Sequence, residues 1–116
     1  MPHHLPPDRF EALVVAALDE VPEEFWPALE NLVVVVEDDP PPGEDLLGLY
    51  EGVPITERSP LDPPVLPDRI SVYRHPHGEE AADAEDLAAL VRETVLHEVG
   101  HHLGLSEARL EELGWA

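Results

Sequence analysis

The stretch VLHEVGHHLGLSEARLEELG, residues 95–114, holds three of the chain's seven histidines, His97, His101 and His102, with Glu98 beside the first. Two histidines four positions apart on a helix present their ring nitrogens to one point, a geometry that suits zinc at about 2.0–2.1 Å. A glutamate that follows the first histidine lies beside the fourth position of such an ion. From there it can take a proton from water, whose pKa zinc lowers from 15.7 to about 7, and later hand that proton to a leaving amine. Gly104 follows His101 by three residues and allows the left-handed bend that ends a helix and reverses the chain. The reversal returns residue 107, a glutamate, toward the two histidines. The full string is H-E-x-x-H-x-x-G-x-x-E, with His97, His101 and Glu107 as candidate ligands and Glu98 as candidate base. Glu107 also sits where acids are favoured anyway, in the first turn of a final helix, and Glu111 and Glu112 are reserve ligands.

These side chains must be carried on a helix whose other face is apolar. At about 100° per residue, Leu87, Ala88, Val91, Val95, Val99 and Leu103 fall within one half-circle, the face expected against a sheet. His97 and His101 stack just beyond that arc, next to Leu90 and Thr94. His102 falls inside the arc and is expected to be a packed or supporting histidine, not a ligand. The helical pattern runs from about Glu79 to Leu103, and Ser106 to Leu113 forms a short last helix stopped by Gly114.

Upstream, Asp8 with Glu11 resembles a capping box for a helix carrying Phe10, Leu13, Val14, Ala17, Leu18 and Val21. Pro22 can open a second short helix that Pro27 limits. LVVVV, residues 32–36, reads as a strand buried on both faces. LLGLYEG, residues 46–52, reads as a strand weakened by Gly48, and DRISVYRH, residues 68–75, alternates as a strand should. A proline-rich loop is expected from Pro54 to about Pro67. His75 and His77 are expected to be exposed loop residues, and residues 1–7 a flexible tail. Helices, strands, then helices give an α+β fold, read as a single domain over residues 1–116.

Bulk chemistry narrows the partners. Twenty-six acids against six basic residues give a net charge of −20, which repels nucleic acids and anionic membranes. The apolar runs are too short to span a bilayer, and the N-terminus has no basic region followed by an apolar run, which suits a cytoplasmic protein. With no cysteine, thiolate metal sites are excluded. All six basic residues are arginine and fourteen residues are proline; such a composition suits a heat-adapted protein, and a GC-rich genome would produce the same. The acidic runs EDD, GED and EEAADAED read as solvated surface, with attraction for basic peptides as the second reading.

GLYEGVPITERS (48–59), DRISVYRHP (68–76) and RETVLHEVGHHLGLSEARLEELG (92–114) resemble the bacterial minimal zincin-like metallopeptidases, over most of the chain from about Asn31 onward. The resemblance implies a stripped-down zincin fold, in which a small mixed sheet of three or four strands packs against an N-terminal helix and the active-site helix. It implies Zn2+ held by His97 and His101, Glu98 as general base, and an acid at 107 as third ligand. The family usually carries aspartate there, so Glu107 is one methylene longer. The motif is also similar to that of metzincins, but those need a methionine turn, and the only methionine here is Met1. By analogy with larger zincins, 46–52 would be an antiparallel rim strand and the sheet order would be 1-3-2.

The function expected is a zinc-dependent peptidase acting on a peptide or protein substrate, with water attacking directly and no covalent intermediate. A second class is a zinc-binding interaction module of zincin fold with little or no activity, its cleft completed by a partner. A metal-dependent endoribonuclease with three histidines on a similar helix and turn is a third, against which Glu98 and the negative charge both argue. Tyr50, Tyr73 and Arg109 are candidate donors to a developing oxyanion.

Overall fold

The computed structural model describes residues 2–52 and 67–115; the loop expected from Pro54 falls largely outside the described residues. The first helix, α1 (Pro7–Leu18), buries Phe10, Val14 and Ala17. It starts one residue before the expected cap. Pro7 takes the first helical position, where a missing N–H costs nothing, and Asp8 serves as a first-turn acid instead of a cap. A 3-10 helix, Glu23–Leu29, follows with Pro27 inside it.

Three strands form the sheet: β1 (Leu32–Glu37), β2 (Gly48–Glu51) and β3 (Asp68–Tyr73). Their order is β1-β3-β2, with β1 parallel to β3 and β2 antiparallel to it. This is the order and rim-strand direction expected from larger zincins. The burial of the strands differs from the sequence expectation. β1 is an edge strand and leaves Val33 44% exposed, while the alternating β3 is the central strand, with Ile70, Ser71, Val72 and Tyr73 all buried. A run of valines marks strand propensity, but its neighbours decide how deeply it is buried.

The helical pattern expected from Glu79 to Leu103 is two helices, α2 (Arg74–Glu80) and α3 (Ala84–Leu103). α2 starts directly after β3 and absorbs the last two residues expected to be strand. Pro76 lies in its first turn, where proline is tolerated. The break before α3 is fixed by Asp83, whose side chain accepts from Asp86 N at 2.8 Å. α3 buries Leu87, Val91, Val95, Val99 and Leu103, the arc expected from the helical wheel. The core they share with Ile70, Val72, Phe10 and Val14 lies between the helices and the sheet.

At its C-terminus α3 closes on Gly104, with φ 72°. Ser106 caps α4 (Glu107–Leu113) by accepting from Arg109 N. α4 can fold back because of Gly100: a Cβ there would collide with Leu110 Cδ2. The fully buried Leu110 thus occupies a notch in α3 that any side chain at position 100 would fill. Among the described residues no helix is long and apolar enough to cross a membrane.

Candidate metal centre

α3 carries His97, Glu98 and His101 so that one ligand atom from each lies within 4.8 Å of the others. The two imidazoles face each other edge to face, with ring centroids 4.5 Å apart. The Nδ1–H of His97 donates to the Trp115 carbonyl at 3.1 Å, which leaves Nε2 as the free lone pair and fixes the ring's tilt. Trp115 is itself held: it is buried, packs edge-on against Phe25, and its N–H donates to Leu110 O at 2.8 Å. The penultimate residue therefore orients the first histidine of the motif. Nothing in the local pattern around His97 marks it.

Glu98 is buried. Its Oε1 lies 3.5 Å from His101 Nδ1, while Oε2 has no hydrogen-bond partner among the described residues. Burial raises the Glu98 carboxyl above its ordinary range, and the neighbouring His101 and His97 pull it part of the way back. A buried carboxylate oxygen left without a donor is costly unless a cation or a proton donor meets it. The two imidazoles offer nitrogen donors of the kind that suits zinc, with this carboxylate beside them.

Glu107 opens α4 and is exposed; it is not a member of the 4.8 Å cluster. Of the reserve acids, Glu111 is exposed and Glu112 pairs with Arg109 at 3.0 Å. The candidate oxyanion donors are placed elsewhere: the Tyr50 hydroxyl donates to Asp68 Oδ2 at 2.5 Å, Tyr73 is buried, and none of the three lines the groove at the site.

His102 is sealed beneath the motif, as the helical wheel requires. Its Nδ1 lies 2.7 Å from Asp68 Oδ2 and its Nε2 lies 2.7 Å from the Ala28 carbonyl. Both ring nitrogens are thus engaged by oxygen atoms, and neither is left for a metal. Asp68, 2% exposed at the start of β3, therefore joins the end of α3 to the sheet and, through Tyr50, to β2. No sequence pattern marks Asp68, because an acid at the start of a strand resembles a turn residue.

His77 is not the exposed loop residue expected. It lies in α2 and is fully buried; its Nδ1 lies 2.7 Å from Tyr73 O and its Nε2 lies 2.9 Å from the Thr94 hydroxyl, which donates to Leu90 O. Burial lowers its pKa, in keeping with a neutral ring. His75 lies in the same helix, half-exposed, with Nδ1 3.1 Å from the Asp39 carboxylate.

A groove of about 710 Å³ opens beside the motif, between α3 and the segment leading into β2. His97 and Glu98 stand at one end of its α3 wall, with Leu90, Glu93 and Thr94 along it. Gly48 explains how the rim strand comes so close. A Cβ there would lie 2.7 Å from Thr94 Cγ2 and 3.5 Å from Glu98 Cγ. The glycine that weakens the strand by propensity is what lets its backbone approach the base.

A mixed three-stranded sheet with an antiparallel rim, backed by a helix bearing this His-Glu-His group, defines a zincin-like architecture. The model of the zincin-like metallopeptidase family matches residues 29–115, and the chain belongs to that family. Among solved structures the chain is similar to a conserved hypothetical protein from Thermo thermophilus, at 32% identity and a TM-score of 0.57. That similarity covers 92% of this chain and 95% of the other. No curated protein matches the chain.

Proposed function

We propose that the protein is a zinc-dependent peptidase in which His97 and His101 hold the ion and Glu98 is the general base. The observation that carries this reading is the buried, unpartnered Oε2 of Glu98, grouped with the imidazoles of His97 and His101, where His97 and Glu98 line the end of a groove. When bound, zinc would acidify water and polarise a peptide carbonyl. Glu98 would take the proton from the attacking water and return it to the departing amine. Its raised pKa suits that exchange, since a carboxylate of ordinary acidity is a weaker base toward water at neutral pH. Trp115 holds His97 in the tautomer that offers Nε2. Glu107 is the proposed third ligand; the Gly104 bend and the Gly100 notch, which turn α4 back along α3, support that assignment. The −20 charge supports a peptide or protein substrate over a nucleic acid.

The exposed position of Glu107 outside the ligand cluster favours a second reading, a zinc-binding interaction module without hydrolytic activity. The two readings part at Glu98. Under the peptidase reading, Glu98→Gln retains zinc at the wild-type stoichiometry and keeps the Tm of the zinc-loaded protein, but cleaves a peptide library at least ~100-fold more slowly. Equal cleavage by the variant would remove Glu98 from the mechanism; cleavage by neither protein would favour the module.

A further inference from the structure

We infer that the groove beside His97 and Glu98 selects a cationic peptide, placing a lysine or arginine side chain next to the bond presented to Glu98. The inference rests on the peptidase reading for that bond, but the selection itself is a property of the groove.

The lining carries carboxylates from three parts of the chain. Asp39 and Asp45 come from the loop between β1 and β2, Glu79 and Glu80 from α2, and Glu93 from α3. No lysine or arginine lines it among the described residues. Two of these acids face imidazoles: Asp39 meets His75, and Glu79 meets His4 at 3.0 Å. The side-chain carboxylates of Asp45, Glu80 and Glu93 make no hydrogen bond or ion pair with any described residue. Glu98 lines the inner end of the same groove, and its buried Oε2 is also without a hydrogen-bond partner among the described residues. The groove is thus short of donors both at its rim and at its depth.

A compact metal ion does not answer that shortage. Among the described residues, only His97, Glu98 and His101 bring ligand atoms close enough together to share an ion. The remaining carboxylates are spread along the groove. Between them the walls are apolar, with Leu46 and Leu47 on one side, Leu90 on α3, and Pro76 on α2. An elongated cation fits this arrangement: the methylene stem of lysine or arginine packs on the leucines while the charged head reaches the carboxylates. From Leu90 to Glu98 the α3 wall spans about 12 Å at 1.5 Å per residue, the reach of three or four extended peptide residues. The overall charge of −20 adds long-range attraction for such a peptide. The rim acids are exposed, so the selection must weaken with salt.

The test uses zinc-loaded protein and N-acetylated, C-amidated peptides that differ at one position, lysine against uncharged norleucine of similar length. kcat/KM is measured by cleavage, and Kd by fluorescence anisotropy on both the wild type and the Glu98→Gln variant. The lysine peptide is expected to be favoured by about tenfold or more at low salt. That ratio should fall toward one in 1 M salt and in the triple variant Asp45→Asn, Glu80→Gln, Glu93→Gln. Because the ratio is internal to each protein, a partly unfolded variant does not distort it. If peptides are cleaved with no charge preference, or the triple variant keeps the preference, the groove assignment is overturned while the peptidase reading stands. If no peptide is cleaved but the lysine peptide binds more tightly in a groove-dependent way, the assignment stands and the peptidase reading fails. No cleavage and no difference in binding overturns both.

Discussion

His101 and His102 are neighbours in sequence and opposites in surroundings. His102 points into the protein, is fully buried, and has both nitrogens occupied by Asp68 and Ala28. The side chain of His101 is 38% exposed, and its contacts are with His97 and Glu98. The about 100° turn between adjacent helical residues separates them onto two faces of α3. One face is saturated with hydrogen bonds and fastens the helix to the sheet. The other is left short of partners, with an orphan carboxylate oxygen and a free imidazole lone pair. A histidine becomes available to a ligand when its surroundings leave it a nitrogen, and the same residue type serves as a structural tie when they do not.

Removing one partner of the sealed pair should have the largest effect on stability. Asp68→Asn or His102→Ala leaves a buried group without its complement and is expected to cost about 3–5 kcal/mol. His101→Ala, measured by denaturant unfolding in the metal-free protein, should cost far less while losing zinc affinity. If His101→Ala and His102→Ala cost the metal-free protein the same, the contrast between the two faces is wrong.

A smaller effect is expected at the notch that joins the faces. Gly100→Ala drives a methyl group into Leu110 Cδ2 and should cost about 1–3 kcal/mol by overpacking. Because α4 and Trp115 shift with Leu110, the orientation of His97 should loosen too. Zinc affinity should therefore drop more than in a core substitution of equal cost on the sealed side, such as Val91→Ala. Equal loss of affinity in the two variants would separate the notch from the site.

The smallest effect concerns acid. The pKa of His77 is lowered in the folded protein, so the folded state disfavours its protonation relative to the unfolded chain. Its contribution is fully present above the unfolded value of about 6.5 and is lost as pH falls through the folded value. Tm of the metal-free protein should therefore decline below about pH 6.5, and His77→Gln should flatten part of that decline. An unchanged slope would place the acid sensitivity elsewhere.

Much of the site is legible in one dimension. The spacing of His97 and His101, the apolar arc from Leu87 to Leu103 and the inward place of His102 follow from helical periodicity, which is local and regular. Gly104 is legible because few residues other than glycine take its left-handed conformation. The break at Asp83 is not, because the acids and alanines on both sides have helical preferences, and a single capping side chain outweighs them. The depth of β1 is hidden because a valine run says nothing about which strand has neighbours on both sides. His77 looks like a loop residue in the sequence because its partner, Thr94, lies 17 positions away.

By itself, the sequence determined the helix, the angular positions of its histidines and the carboxylate between them, because these depend on one repeating backbone geometry. Only the tertiary structure decided which groups complete them. Trp115 reaches His97 across 18 residues, Asp68 reaches His102 across 34, and Gly48 brings the rim strand against Glu98. Those meetings depend on strand order and close packing between segments distant in the chain, which no local pattern encodes.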